Sequence, residues 1–219
     1  MDGFVSWLRQ LQFDGVWQTA LLVAASLLCI TFHETCHGLA AYRLGDPTAK
    51  RAGRLTLNPL RHVDIGGLLM MALFRFGWAK PVPVDMRYFK KPKQGMALTA
   101  LAGPVSNFVL ALLALLCARL VYHQYGALWD FIFDLLLTTA YLSVGLGLFN
   151  LIPISPLDGS KVLFAFLPDS AYEKLMRYEK YGMIALLILV WLGVGDNVLS
   201  TAIYNVYAAM INFVFRGIV

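Results

Sequence analysis

Long apolar runs alternate with short polar stretches along this chain, and the lengths of the runs predict helices that cross a lipid bilayer. Residues 16–42 are apolar with a single acidic side chain, and residues 94–118 and 135–157 contain no charged residue at all. Each exceeds the roughly 20 residues that a helix needs to span the hydrocarbon layer. Tyr181 to Gly195 is shorter, but Ser170 followed by Glu173 reads as a capping box, which predicts a helix over 171–195. A fifth candidate covers 197–215, after a Gly-Asp-Asn turn. Between the first two long runs, Ala52–Leu57 and Pro81–Met86 alternate apolar and polar positions around an apolar stretch, Ile65–Phe74, that is too short to cross. Two strands and a re-entrant loop are expected there. The fold expected is an all-α polytopic membrane protein of one domain, residues 1–219, with about five transmembrane helices and a small membrane-associated β-hairpin or re-entrant loop between the first two. A free strand edge there would accept an extended peptide by β-augmentation; an ordinary interfacial hairpin is the plainer alternative.

Composition sharpens this picture. The chain is 59% hydrophobic and 14% charged, with a mean hydropathy of +0.65, far from soluble averages. Of its 18 Lys and Arg, 11 fall between Arg43 and Lys93, a connection expected to meet anionic lipid headgroups, so the basic balance argues for the bilayer and against nucleic acid as partner. Loops rich in Lys and Arg face the cytoplasm, which predicts an outside N-terminus, an inside C-terminus and a multi-pass protein suited to a bacterial inner membrane. The N-terminus lacks a cationic leader region, so its apolar run is expected to be retained as a span. Cys29, Cys36 and Cys117 are odd in number and show no disulfide framework, and no repeat or soluble accessory domain is visible.

Candidate chemistry sits inside the first span, at His33-Glu34-Thr35-Cys36-His37. Two imidazoles four residues apart share a helical face and can bind one zinc, with Glu34 as general base beside the open coordination position. Chance placement of H-E-x-x-H in this composition is on the order of one in a thousand, and idle ionisable groups in apolar surroundings are costly. The motif lies about 24 Å along a helix starting near Trp17, which places it towards the cytoplasmic end. Catalytic zinc takes three protein ligands, so one must come from elsewhere. Asp158 is the best candidate: it closes the third apolar run after Pro153 and Pro156, which interrupt a helix, and Gly159 permits a tight turn. The plainer alternative is a carboxylate capping an interfacial helix. His62 lies on the same side and reads as an outer-shell or substrate contact, or simply as a basic loop residue; His123 lies on the opposite side. Cys36 reads as a small apolar filler.

These residues resemble the site-2 protease family of intramembrane zinc metalloproteases. The likeness spans most of the chain: H-E-x-x-H followed by Gly38, Ala41 and Gly45; Asn58-Pro59 to Asp64; Gly77-Trp78-Ala79-Lys80-Pro81-Val82-Pro83; Ala102-Gly103-Pro104-Val105-Ser106-Asn107; and Asn150 to Gly159. It implies one zinc per chain held by His33, His37 and Asp158, with Glu34 as base and acid, Asn107 and Asn150 contacting substrate carbonyls, and cleavage of single-span membrane proteins near the cytoplasmic boundary. Ser155 stands where many members have Pro, and Ser160 where Gly is common, so the backbone around Asp158 is expected to differ slightly. Rival readings are a zinc transporter or sensor built on the same ligands, and a zinc hydrolase of non-peptide membrane substrates. Glu34 discriminates, because transport or sensing has no use for a base.

Overall fold

A computed structural model describes residues 16–64, 66–67 and 79–216. Three long helices form its frame: α1 (Val16–Arg43), α2 (Pro92–Val121) and α3 (Ala127–Asn150). All three are long and apolar enough to cross a membrane. Pro92 occupies the first turn of α2, where its missing N–H costs nothing, and Arg43 and Arg119 close the last turns of α1 and α2, where a cation suits the helix dipole. Four shorter helices follow: α4 (Asp158–Phe164), α5 (Asp169–Arg177), α6 (Glu179–Trp191) and α7 (Asp196–Val214).

The third span is displaced from its expected position. It begins at Ala127, with Asp130 in its first turn facing the positive end of the helix dipole, and ends at Asn150 rather than at Leu157. Pro153 and Pro156 cannot continue the helix, so residues 151–157 form turns and the chain re-enters a helix only at Asp158.

The five-span count is corrected to three spans, or four. The helix expected over 171–195 is broken at Tyr178 into α5 and α6, in a stretch where acidic and basic residues crowd from Glu173 to Lys180. The α6 and α7 segments are each part of a bent pair, turning by 85° between Tyr181–Trp191 and Asp196–Val214. This pair starts beside the Ser155 turn, whose carbonyl lies 2.4 Å from where a Cβ on Gly182 would be. It ends beside the far end of α2, where the Arg119 guanidinium donates to the Val214 carbonyl at 2.5 Å and the Tyr122 and Phe215 rings meet at 5.8 Å. Counted as one broken span, the pair gives the fourth crossing.

The expected β-hairpin is also corrected. Among the described residues there is no strand, only one isolated antiparallel bridge between Val63 and Ala79. Pro81 and Pro83 have no N–H to give to a ladder, and two of the remaining donors in this segment go to carboxylates: Val82 N–H to Glu34 and Asp85 N–H to Asp46. The alternation over 81–86 thus reflects a Pro-Val-Pro segment laid along α1. Ile65–Phe74, read as re-entrant, lies outside the described residues apart from Gly66 and Gly67.

Helix α2 is the central element and packs against α1, α3, α4 and α7. Its buried face carries Gly103, Ala111, Ala114 and Ala118 around Leu115, and opposite them lie Ala140 and Val144 of α3 and Ile203 of α7. Small residues let helix backbones approach closely in the absence of a hydrophobic driving force between apolar surfaces. At Gly147 of α3 the approach to α2 is tight: a Cβ there would lie 3.2 Å from the Phe108 ring and 3.3 Å from the Pro104 carbonyl. Leu98, Val105, Val109 and Leu113 of α2 face outward and are exposed, as lipid-facing side chains should be. Gly147→Leu is expected to lower stability by about 1–3 kcal/mol through overpacking, seen as a lower melting temperature of the purified protein in detergent, while Leu113→Ala leaves it nearly unchanged.

Candidate metal centre

The site is built where the end of α1 runs antiparallel to the start of α2. His33 and His37 are one turn apart on the buried face of α1, with ring centroids 4.5 Å apart and planes nearly perpendicular. Their Nε2 atoms are 2.9 Å apart. Helix α2 passes so near that a Cβ on Gly103 would lie 2.4 Å from the His37 ring and 2.6 Å from that of His33. Only glycine fits there. The Thr99 carbonyl, one turn earlier on α2, accepts from Nδ1 of His37 at 2.7 Å, which leaves Nε2 unprotonated with its lone pair directed away from the helix. Asn107, one turn later, brings its amide to within 3.2 Å of His33 Nδ1.

Asp158 is the first residue of α4 and is buried, with Oδ2 3.1 Å from Nε2 of both histidines. The 151–157 turns deliver it. Gly159 accommodates the fold-back, since a Cβ there would lie 2.2 Å from the Leu151 carbonyl oxygen. Ser160 donates its hydroxyl to the Leu157 carbonyl at 2.6 Å and so closes the turn.

Two imidazole nitrogens and one carboxylate oxygen therefore form a nearly equilateral triangle, and among the described residues this is the one cluster of three potential metal ligands. Atoms bound at about 2.0–2.1 Å to a common tetrahedral zinc stand roughly 3.4 Å apart. The observed spacing is within a few tenths of an ångström of that value, and two nitrogens and one oxygen are one of the donor sets that catalytic zinc uses. The residues fit the ion.

Glu34, half-buried, stands next to His33 in the motif, and its Oε2 accepts the Val82 N–H at 2.9 Å. The loop that supplies Val82 is held on α1 by several contacts. Gly38 leaves room for Leu55, Ala49 and Val82, while the Thr35 hydroxyl donates to the Thr56 carbonyl at 2.8 Å. His62 takes its place in this loop and not at the metal: it is buried, with Nε2 2.9 Å from the same Thr56 carbonyl, and its own carbonyl accepts from Lys80 N. It pins the strip that reaches Glu34. His123 lies just past the end of α2, exposed and about 30 Å along the helix from Gly103, on the opposite side as expected. Cys36 is a free thiol outside the cluster. Asn150 donates its amide to the Leu146 carbonyl of its own helix.

Comparison with known proteins agrees with this geometry. The chain is 39% identical over 183 residues to "Putative zinc metalloprotease YwhC" of Bacillus subtilis, covering 81% of this chain and 83% of that protein. This protein belongs to the M50 family of zinc metalloproteases. The model of peptidase family M50 matches residues 120–193, the part that contains Asp158. "Putative zinc metalloprotease Rip2" of Mycolicibacterium smegmatis is 29% identical over 199 residues, 86% of this chain and 74% of the relative. "Zinc metalloprotease MJ0392" of Methanocaldococcus jannaschii is 26% identical over 148 residues, 68% of this chain and 34% of the relative. No solved structure matches significantly. In this M50 peptidase zinc is the cofactor, and the His33, His37 and Asp158 cluster is the site with the donors to hold it.

The sequence did not single out Gly103 or the Thr99 carbonyl as parts of the metal centre. Gly103 carried a signal, since a glycine beside a proline in mid-span marks a close approach; a backbone carbonyl carries none. Gly103→Ala is expected to drive the imidazoles apart and lower the zinc content of purified protein well below one per chain, measured by elemental analysis, with the helical content retained. Full zinc occupancy in that variant would contradict the packing described.

Proposed function

We propose that this M50 peptidase is an intramembrane endopeptidase that cuts single-span membrane proteins near the cytoplasmic boundary of a bacterial inner membrane. The observation that carries the reading is the position of His33, Glu34, His37 and Asp158: they are buried or half-buried at one end of a bundle whose helices are long and apolar enough to cross a bilayer. The described basic residues of the connection between α1 and α2, from Arg43 to Arg61 and from Lys80 to Lys93, lie at that same end and support a cytoplasmic orientation.

His33, His37 and Asp158 would hold the zinc, which when bound supplies Lewis acidity that polarises a peptide carbonyl and makes water a better nucleophile near neutral pH. Glu34 performs the proton transfers. Its Oε2 is fixed by the Val82 N–H, so Oε1 takes a proton from the attacking water and passes it to the amine nitrogen as the C–N bond breaks. The apolar bundle limits water around these groups, which strengthens each electrostatic interaction. A helical substrate hides its carbonyls in backbone hydrogen bonds, so it must unwind locally to be cut. Asn150, at the end of α3 just ahead of the turns that deliver Asp158, offers its amide to the unwound segment in this reading, once it leaves the Leu146 carbonyl.

Glu34→Gln is expected to keep zinc at the wild-type level while lowering cleavage of a tagged single-span substrate in liposomes by about 10²–10⁴-fold. Zinc flux or zinc sensing would survive that change. Unchanged cleavage by the purified variant would remove Glu34 from the mechanism.

A further inference from the structure

We infer that Asn107 is a positioning residue for the metal centre, selecting the ring tautomer in which His33 can bind zinc. This rests on the zinc site described above and gives Asn107 a role different from the substrate contact that family resemblance implies.

A neutral imidazole carries one proton, so binding a metal through Nε2 requires that the proton sit on Nδ1. For His37 the choice is made by the Thr99 carbonyl, which can only accept. His33 faces instead a side-chain amide, whose two ends have opposite character. With the amide nitrogen turned to Nδ1 at 3.2 Å, Asn107 donates, the ring proton is forced onto Nε2, and that N–H points at Asp158 Oδ2 3.1 Å away. That arrangement closes the ring to metal. It also leaves Asn107 Oδ1 buried without a partner in an asparagine that is 0% exposed.

Turning the amide by 180° needs no more room, because its oxygen and nitrogen are nearly the same size. Oδ1 then accepts from Nδ1–H of His33, and Nε2 presents its lone pair to the triangle. In the orientation observed Oδ1 is the buried atom left without a partner, and turning the amide gives it one in the Nδ1–H of His33. The backbone of Asn107 is held meanwhile by the Ser143 hydroxyl, which donates to its carbonyl at 2.9 Å across the α2–α3 contact. The side chain thus turns on a fixed stem. Asn107 Oδ1 in this role is the counterpart of the Thr99 carbonyl, and α2 sets both rings from opposite sides of Gly103.

The test is a zinc competition titration with a chromogenic chelator on full-length wild type, Asn107→Leu and Asn107→Asp, each purified in detergent and stripped of metal. Asn107→Leu removes the acceptor and is expected to weaken zinc about 10–100-fold. Asn107→Asp keeps an oxygen facing Nδ1 and is expected to bind within a few-fold of wild type; a merely structural role, or one that needs the amide N–H, would not give this rescue. Wild-type affinity in Asn107→Leu, or equal losses in both variants, overturns the proposal. Melting curves of the metal-free proteins check folding, and Asn107→Ala replaces the Leu variant if that one fails to fold. If wild type itself takes up no zinc, the metal reading falls and this inference with it, whereas zinc-loaded wild type with an unaffected Asn107→Leu sinks only the inference.

Discussion

Two imidazoles and a carboxylate buried in an apolar bundle are stable only if every polar end is answered, and here the answers come from α2. Burying such groups without partners costs several kcal/mol each. The close passage of α2 at Gly103 turns that cost into a constraint: it brings a carbonyl to His37, an amide to His33, and presses both rings into one orientation. What remains is three lone-pair-bearing atoms about 3 Å apart, facing one point. The small-residue face of α2 continues through Ala111, Ala114 and Ala118, so the packing that lets the helices approach is also what shapes the metal centre.

The carboxylate arrives by a different device. Helix α3 has to stop, reverse and restart within a few residues so that Asp158 opens α4 beside the histidines. Pro153 and Pro156 end the helix, Gly159 tolerates the near contact with the Leu151 carbonyl, and Ser160 closes the turn. The loop after α1 is organised around the base in a similar way. Val82 reaches Glu34 because the Thr35, Thr56 and His62 contacts and the Val63–Ala79 bridge hold that loop against α1. Metal ligands and general base thus depend on separate parts of the chain that meet only in the folded bundle.

Much of this was legible in the sequence. Apolar runs of membrane length located α1, α2 and most of α3, and the H-E-x-x-H spacing on one of them placed His33, Glu34 and His37; proline positions pointed to Asp158. What failed was the reading of short segments. Alternation over 81–86 resembled a strand because periodicity does not register that Pro81 and Pro83 lack donors, and the capping signal at Ser170 did not reveal the break at Tyr178. The bent α6–α7 pair was read as two spans because each half is apolar; by length and composition the two halves together amount to one span at most. His62 is buried for its loop, and burial has no signature in a single sequence.

The central claim is that His33, His37 and Asp158 jointly bind one zinc. X-ray absorption at the zinc edge of the purified full-length protein tests it most directly. The account predicts a first shell of nitrogen and oxygen only, at about 2.0–2.1 Å, with the multiple scattering of two imidazoles. A sulfur scatterer near about 2.3 Å, which would bring in a cysteine such as Cys36, or a single imidazole in the shell, would contradict it.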